Sequence, residues 1–316
     1  MKFRTEIDPN SNGIRPIDFT SNSLFLGSCF SENIARKFDF HKLNFAENPY
    51  GILFNPASIS QIFKDLESNK DYSAADLGQR DGLFFSLNHH STFNNTDPEH
   101  VLSQIRSSQE NLKSLLPKLT HVFISLGTAW VYRHLQTNSV VANCHKLPSS
   151  NFEKELLSPE EVFQALRSTM QYIESCAKDK VQFILTLSPV RHLKDGFSEN
   201  SLSKAHLRTA IGRLEHENKN VCYFPAAEIL LDDLRDYRFY DKDLIHPSQE
   251  AVNYIWEKFS KVFFQAPTRE NLKKIKQLRA SMDHRPLNPE SEEHKKFKDK
   301  LLSKIRDIEN ELGIEF

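Results

Sequence analysis

The stretch "LFLGSCFSENIARKF", residues 24–38, decides the fold class of this chain. An apolar run ends at Gly27-Ser28-Cys29, and a pattern typical of an amphipathic helix follows without a linker. A buried strand that leads directly into a helix is the repeating unit of α/β proteins. The same turn raises a chemical question, because Ser28 or Cys29 is there either a nucleophile or only a small residue in a tight turn.

Further buried strands are predicted downstream. Apolar, β-branched or aromatic runs closed by Gly, Ser or Pro lie at 121–128, 181–190 and 221–226, and another strand is expected around 42–52, beside the first. Helical patterns lie at 29–40, 159–178, 201–216 and 249–264. This alternation predicts a three-layer α/β/α domain with a mostly parallel sheet covered by helices on both faces.

Two segments interrupt the alternation. Residues 70–97 indicate an inserted hairpin or loop within a main domain of residues 1–267. From Thr268 the composition changes to dense mixed charge, which predicts a helical C-terminal extension, 268–316, of two helices around the "HRPLNP" break, with Gly313 as a C-cap. Mixed charge is typical of a solvated helix face, and a dimer contact or a lid is the alternative.

Composition excludes several classes of protein. The formal net charge of −1 gives no global attraction to nucleic acid or to an anionic membrane. The four cysteines form neither a metal-ligand pattern nor a disulfide framework, and the thirteen histidines show no metal-ligand spacing. No signal peptide or membrane-spanning run is found. We therefore expect a cytoplasmic protein with free thiols, no cofactor, no metal, and neither nucleic acid nor membrane as a partner.

The ends of the predicted strands carry the chemistry. Ligands of open parallel sheets bind at the carboxyl ends of the strands, which here carry Ser28, Thr128 and Ser188. The loop after the last strand contains "DKDLIHPS", where Asp243 and His246 are three residues apart and face the same side of one turn. The carboxylate can then fix the imidazole tautomer and leave the other ring nitrogen as a general base. A capping Asp beside a surface His is the alternative for this segment taken alone.

The presence of Ser28 favours a catalytic role for Asp243 and His246 over a capping role. A serine hydroxyl needs an adjacent base to act as a nucleophile near neutral pH, and a serine at a helix N-terminus lies beside N–H groups that stabilise an oxyanion. Ser28, His246 and Asp243 are therefore predicted to form an acyl-transfer site. Cys29 is expected to be buried or to cap the helix, because the residue after such a turn points away from the same pocket.

These residues resemble the GSCFA-domain family, within the SGNH/GDSL hydrolase superfamily. The motif matches Gly27-Ser28-Cys29-Phe30, with Ser31 in place of Ala. Further matching blocks are "NPYGILFNP" (48–56), "LGTAWVY" (126–132), "NCHK" (143–146), "SPVRHLKDG" (188–196), "SLSKAHL" (201–207), "DDLRDYRFY" (232–240) and "DLIHPS" (243–248). The resemblance implies a flavodoxin-like, SGNH-type sheet and a serine esterase or deacetylase that hydrolyses a small or carbohydrate-linked ester.

Carried over by residue, the resemblance makes Ser28 the nucleophile, His246 the base and Asp243 its orienting partner. The superfamily's oxyanion hole combines the nucleophile N–H, a glycine N–H and the asparagine of a Gly-x-Asn block. Here "GTA", 127–129, lacks that asparagine. The candidate donors, besides the Ser28 N–H, are the Gly51 N–H and the side chains of Asn55, Thr128 and Asn143, with Asn55 and Gly51 preferred because "GILFNP" falls where the second block would lie.

Substrate contacts and the reaction outcome stay open at this point. His90, Arg191 and His192 are predicted to bind substrate, and ordinary loop histidines or a structural salt bridge are the alternatives. The same triad would serve an acyltransferase that uses a sugar or peptide acceptor. The missing asparagine also allows a catalytically weakened scaffold that only binds. If the C-terminal helices form a dimer contact, the alternative to a solvated face, the protein partner is a second copy of this chain.

Overall fold

The computed structural model describes residues 5–284 and 291–316. The strands of these residues are β1 Ser23–Gly27, β2 Phe45–Glu47, β3 Leu77–Arg80, β4 Leu83–Ser86, β5 His121–Leu126, β6 Trp130–His134, β7 Ser139–Val141, β8 Phe152–Leu156, β9 Gln182–Leu187 and β10 Val221–Tyr223. The helices are α1 Cys29–Phe40, α2 Pro56–Glu67, α3 Pro98–Leu115, α4 Pro159–Cys176, α5 Phe197–Glu217, the single turn α6 Ala226–Glu228, α7 Gln249–Phe263, α8 Ala266–Met282 and α9 Glu292–Leu312.

Five parallel strands form the central sheet, in the order β10-β9-β5-β1-β2. Numbered along the chain among themselves, these strands follow the flavodoxin-like order 2-1-3-4-5. The strand expected around 42–52 is β2, which pairs with β1. The predicted α/β fold with a mostly parallel sheet is therefore confirmed.

Side chains of successive strand residues enter opposite layers, as the two-residue period of a strand requires. Leu24 and Leu26 of β1 pack in the core that the sheet shares with α2, α4 and α5. Phe25, between them, packs on the other face against α1 and α7, next to Phe38 and Phe259. Both faces of the sheet are thus buried, which explains the continuous apolar runs in the sequence.

Two smaller antiparallel sheets lie beside the central sheet. The β3–β4 hairpin falls within the 70–97 segment, and β6 pairs with both β7 and β8. The three-stranded sheet is not predicted by the sequence, and neither are α2 and α3. The strands of this three-stranded sheet are short and only partly buried. The sequence of β8, for example, is "FEKEL", so the apolar period that would predict a strand is weak.

The C-terminal extension contains α8 and α9, which pack through Ile275, Leu278 and Ile308. Gly313, at φ +66°, ends α9 as the predicted C-cap. The predicted "HRPLNP" break is residues 284–289, of which 285–289 lie outside the described residues. Among the residues that the structure describes, no helix has the length and apolarity needed to cross a membrane.

Candidate active site

The turn between β1 and α1 places Ser28. Gly27 has φ +119°, and a Cβ at this position would lie 2.1 Å from the carbonyl oxygen of Ser125. Only glycine fits there, because both the dihedral and the close approach exclude a side chain. Ser28 follows as the N-cap of α1, and its Oγ accepts a hydrogen bond from the Phe30 N–H at 3.3 Å.

This turn stands at the topological switch point of the sheet. The chain leaves β1 toward β2 on one side, whereas β5 pairs with β1 on the other. Open α/β sheets bind ligands at this point, beyond the carboxyl ends of the strands. Ser28 therefore lies where the fold forms a crevice.

The Ser28 hydroxyl has a partner that the sequence did not indicate. Its Oγ shares a hydrogen bond of 2.8 Å with Oγ of Ser125, the fifth residue of β5, and Ser28 is only 3% exposed. Among the described residues, no hydrogen bond joins Ser28 to His246. The one available signal was a serine inside an otherwise apolar strand, at the position that pairs with Gly27.

Cys29, the neighbouring thiol, is half-buried at the first position of α1. Burial, and next the carboxylate of Glu32, raise the pKa of the thiol above its ordinary value. Because the thiolate is the nucleophilic form, this environment disfavours Cys29 as a nucleophile.

Asp243 and His246 form a compact pair on the loop before α7. Oδ2 of Asp243 lies 2.6 Å from Nδ1 of His246, and Oδ1 accepts hydrogen bonds from the N–H groups of Ile245 (2.8 Å) and His246 (3.0 Å). The His246 N–H, then the imidazole bond, lower the pKa of Asp243 to about 2. The carboxylate is therefore ionised near neutral pH and can hold the proton of His246 on Nδ1.

The loop that carries this pair is closed by its own backbone. Tyr240 and Pro247 form an antiparallel bridge, and the Asp241 N–H donates to the His246 carbonyl at 2.8 Å. Leu244, between Asp243 and His246, adopts φ +58°. A left-handed leucine costs roughly 1–2 kcal/mol, and such strain concentrates at functional sites.

Arg191 and His192 come from the loop after β9. The Arg191 N–H donates to the Ile245 carbonyl at 3.3 Å, so this loop contacts the Asp243–His246 loop. His192 packs against Phe54, with ring centroids 4.9 Å apart and the two ring planes tilted by 34°. Burial, and next the charge of Lys204, lower the pKa of His192 to about 4.

Two of the candidate oxyanion donors are already engaged. The Gly51 N–H donates to the Asn48 carbonyl at 2.7 Å. Asn55 caps α2, with Oδ1 accepting from the Ser58 N–H at 2.8 Å and Nδ2 donating to the Ser58 hydroxyl at 2.9 Å. Their predicted role requires these bonds to break or to be shared.

The other candidate donors are held differently. The Thr128 hydroxyl is hydrogen-bonded to Ser203 at 2.9 Å and accepts from the Trp130 N–H. Asn143 accepts from the His145 N–H through Oδ1, while its Nδ2 has no partner among the described residues. The Ser28 N–H donates to the Ser125 carbonyl at 3.0 Å, which continues the β1–β5 ladder.

His90 lies against Gly51. A Cβ on Gly51 would be 2.3 Å from Cβ of His90, and the His90 N–H donates to the Tyr50 carbonyl. Its Nδ1 is hydrogen-bonded to Thr92. Within the described residues, no three His, Cys, Asp or Glu side chains gather as metal ligands would.

Comparison with protein families gives a match over most of the chain. The model of the GSCFA family matches residues 22–259, which include the Ser28 turn and the Asp243–His246 loop. The chain belongs to the GSCFA family. The model of the GSCFA domain protein, C-terminal domain, matches residues 275–314, from within α8 to two residues past the end of α9. The GSCFA match therefore covers the central sheet and, separately, the C-terminal helices.

Solved structures resemble this GSCFA protein only distantly. A carbohydrate esterase family 3 protein from Talaromyces cellulolyticus has 9% identity and a TM-score of 0.35, covering 81% of this chain and 99% of that one. A family 3 carbohydrate esterase from Clostridium thermocellum has 12% identity and a TM-score of 0.34, covering 80% and 97%. A comparison with curated proteins gives no match.

Proposed function

We propose that this GSCFA protein is a serine-dependent ester hydrolase that acts on a small or carbohydrate-linked ester. Ser28 is the nucleophile, His246 the general base and Asp243 the residue that orients His246. The observation that carries the proposal is the 2.6 Å contact between Asp243 and Nδ1 of His246. With Nδ1 occupied by an ionised carboxylate, Nε2 is left as the base.

The position of Ser28 is the second support. It stands at the N-terminus of α1, at the switch point of the sheet, where N–H groups and the helix dipole favour a developing negative charge. The raised pKa of Cys29 makes the adjacent thiol a poor competitor for the same role.

The reaction then follows the usual order of acyl transfer. Oγ of Ser28 attacks the ester carbonyl carbon while its proton passes to Nε2 of His246. The carbonyl electron pair moves to oxygen, and the tetrahedral intermediate collapses with cleavage of the bond to the alcohol. His246 donates its proton to the departing oxygen, and a water activated by the same imidazole hydrolyses the acyl-enzyme.

The hydrogen bond between Ser28 and Ser125 sets one requirement for this mechanism. The Ser28 hydroxyl must leave Ser125 and turn toward His246 when substrate binds. Hydrogen bonds of catalytic groups are often misaligned without substrate, so the observed partner is compatible with the role.

The surroundings of His246 fit a substrate that is approached from solvent. The side chains of His246 and Asp243 are 46% and 47% exposed. Arg191 lies between two aromatic rings, with its guanidinium 5.5 Å from Tyr240 and 5.8 Å from Phe197. Phe197 is 62% exposed and Tyr240 is half-buried, and aromatic rings that reach solvent pack on the apolar faces of sugars, which favours a carbohydrate-linked ester.

The same Ser28–Ser125 bond favours a second candidate function. If Ser28 never reaches His246, the site is a crevice that binds its ligand without cleaving it. A binding scaffold of this kind would keep affinity for the ester but show no turnover.

Labelling with a fluorophosphonate probe tests the proposal. The wild-type protein should be labelled, and Ser28→Ala and His246→Ala should abolish labelling while leaving the far-UV circular dichroism unchanged. Ser60→Ala, a buried serine on α2, is the matched control and should label like the wild type.

The possible results separate the candidates. Loss of the label in Ser28→Ala, which still has Cys29, assigns the nucleophile, and turnover of an ester panel then identifies the acyl group. A product formed on a supplied sugar or peptide acceptor faster than on water would identify a transferase. An unlabelled wild type, beside a labelled control esterase, would contradict the proposal and favour the binding scaffold.

A further inference from the structure

The carboxyl end of β5 lacks the side-chain donor that an oxyanion needs. At the two positions after Gly127, the Thr128 hydroxyl and the Ala129 N–H are both hydrogen-bonded to the Ser203 hydroxyl on α5. Gly127 itself donates its N–H to the Phe54 carbonyl at 2.8 Å. Every hydrogen-bond donor of residues 127–129 is therefore already engaged.

The imidazole of His192 occupies the space above Gly127. A Cβ on Gly127 would lie 2.7 Å from Nε2 of His192, so the ring edge that carries Nε2 rests directly on this glycine. The ring is held from the side by Phe54, and the backbone of His192 is held by Asn200, whose Oδ1 accepts its N–H at 3.1 Å.

Both ring nitrogens of His192 are without a hydrogen-bond partner among the described residues. Neither nitrogen is among the fully buried polar atoms without a partner, so both reach solvent although the residue is half-buried. A ring that is fixed in position but unpaired is ready to bind a group of the substrate.

Gly127 is next to the nucleophile. Gly27 pairs with Ser125 in the parallel register, and the Ser28 N–H donates to the Ser125 carbonyl. The carboxyl ends of β1 and β5 therefore lie side by side, about 5 Å apart, which is the spacing of neighbouring strands. His192 stands above this pair of strand ends, and its loop contacts the loop of His246 through the Arg191 N–H.

His192 is suited to donate a hydrogen bond and not to act as a general base. Burial, and next Lys204, lower its pKa to about 4, so the ring is neutral near pH 7. Lys204 donates to the Ser188 carbonyl at 2.6 Å, at the start of the same loop. A neutral imidazole with its proton on Nε2 donates a hydrogen bond without competing for the proton of Ser28.

A backbone N–H group lies near the same strand ends as His192 and is a second candidate donor. The Cys29 N–H, at the first position of α1, interacts with its own thiol but bonds to no other residue among those described, whereas the Ser28 and Phe30 N–H groups are engaged by Ser125 and Ser28. Free N–H groups at a helix N-terminus point out along the axis toward the site.

We propose that His192, through Nε2–H, and the Cys29 N–H together form the oxyanion hole of this enzyme, in place of an asparagine side chain. This inference rests on the proposed function. When Ser28 attacks, the carbonyl electron pair moves to oxygen, which accepts hydrogen bonds from both groups. No proton leaves His192, because the proton of Ser28 passes to His246 and then to the alcohol.

Kinetics of His192 variants test the role. Loss of one oxyanion donor costs on the order of 10²–10³ in kcat. His192→Ala should therefore lower kcat by this factor while KM changes less than about threefold. His192→Asn, which restores an N–H donor, should recover part of kcat. His206→Ala, which removes a half-buried imidazole on α5, is the matched control and should keep the wild-type kcat.

A boronic acid inhibitor that forms a tetrahedral adduct with Ser28 gives a second readout. His192→Ala should weaken its binding by a factor close to the loss in kcat/KM, and His192→Asn should restore part of it. Thermal denaturation of each variant establishes that the fold is intact, and should His192→Ala be unfolded, His192→Asn and His192→Gln give the comparison.

The outcomes distinguish this inference from the proposed function. If turnover depends on Ser28 but His192→Ala raises only KM, His192 binds the ground state and the inference is overturned. If the His192 variants keep the wild-type kcat, it is overturned as well. If wild-type turnover does not depend on Ser28, the proposed function itself fails, and the oxyanion hole fails with it.

Discussion

The carboxylate of Asp243 lies 2.6 Å from Nδ1 of His246, and its other oxygen accepts two backbone N–H groups of the same turn. One residue thus fixes both the position of the imidazole and its tautomer. Two consecutive backbone N–H groups hold the carboxylate in place, so the pair is preorganised by the local chain.

Replacing Asp243 by asparagine should leave the loop intact but stabilise the wrong tautomer of His246. In a serine triad that change lowers kcat by roughly 10⁴. We expect Asp243→Asn to reduce Ser28-dependent ester hydrolysis by about this factor. Asp241→Asn, on the same loop and also exposed, is the matched control and should keep most of the activity. Activity of Asp243→Asn within tenfold of the wild type would contradict the assigned role.

Ser125 is hydrogen-bonded to the Ser28 hydroxyl, and in the proposed mechanism it competes with His246 for that group. A neutral hydrogen bond contributes about 0.5–1.5 kcal/mol, and the proposed mechanism requires Ser28 to leave it. Ser125→Ala should therefore raise kcat by about two- to tenfold in steady-state ester hydrolysis. A hundredfold loss would instead show that Ser125 belongs to the catalytic machinery and that the mechanism is incomplete.

Gly27 adopts the positive φ that places Ser28 at the start of α1. In Gly27→Ala, the added Cβ meets the Ser125 carbonyl at 2.1 Å, against backbone that cannot move aside. We expect a loss of several kcal/mol in the free energy of unfolding, measured by urea denaturation, together with loss of probe labelling.

Gly82 gives the matched control for this glycine. It has φ +77° in the β3–β4 turn, with nothing within 4 Å of an added Cβ. Gly82→Ala should lose only about 1–2 kcal/mol from its backbone dihedral. Equal stability losses in the two variants would show that the contact with Ser125 is unimportant.

His89 makes stability depend on pH. It is 0% exposed, and burial, chiefly, lowers its pKa to about 3, whereas an unfolded histidine titrates near 6.5. Between these values the unfolded chain binds one more proton than the native state. The contribution of His89 is complete above about pH 6.5, and it falls by about 1.4 kcal/mol per pH unit as the pH drops toward 3.

The His89 ring stacks on Tyr50, and replacing His89 by phenylalanine keeps an aromatic ring there but removes the titrating group. Urea unfolding between pH 4.5 and 6 gives the free energy of unfolding as a function of pH. Its slope should be shallower than in the wild type by about 1.4 kcal/mol per pH unit, the contribution of one proton. His100→Phe, on the exposed first turn of α3, is the comparison variant. An unchanged slope in His89→Phe would show that His89 is not neutral in the native protein.

The sequence alone determined the features that depend on neighbours along the chain. Buried runs such as 121–128 and 181–190 predict strands because both faces of a parallel sheet are covered, and β5 and β9 lie there. The Asp243–His246 contact follows from a spacing of three residues on one turn, and the position of Ser28 at the start of α1 follows from an apolar run that ends at a small residue.

Only the tertiary structure decided which groups meet across the sheet. Ser28 and Ser125 are 97 positions apart, and their hydrogen bond depends on the register of β1 and β5. The contact of His192 with Gly127 depends on how the loop after β9 folds back onto β5. Local periodicity records which face of an element is buried, but it does not record which other segment covers that face. The position of Ser28 and the contact between Asp243 and His246 could therefore be predicted, whereas the residues that these groups meet from other elements could not.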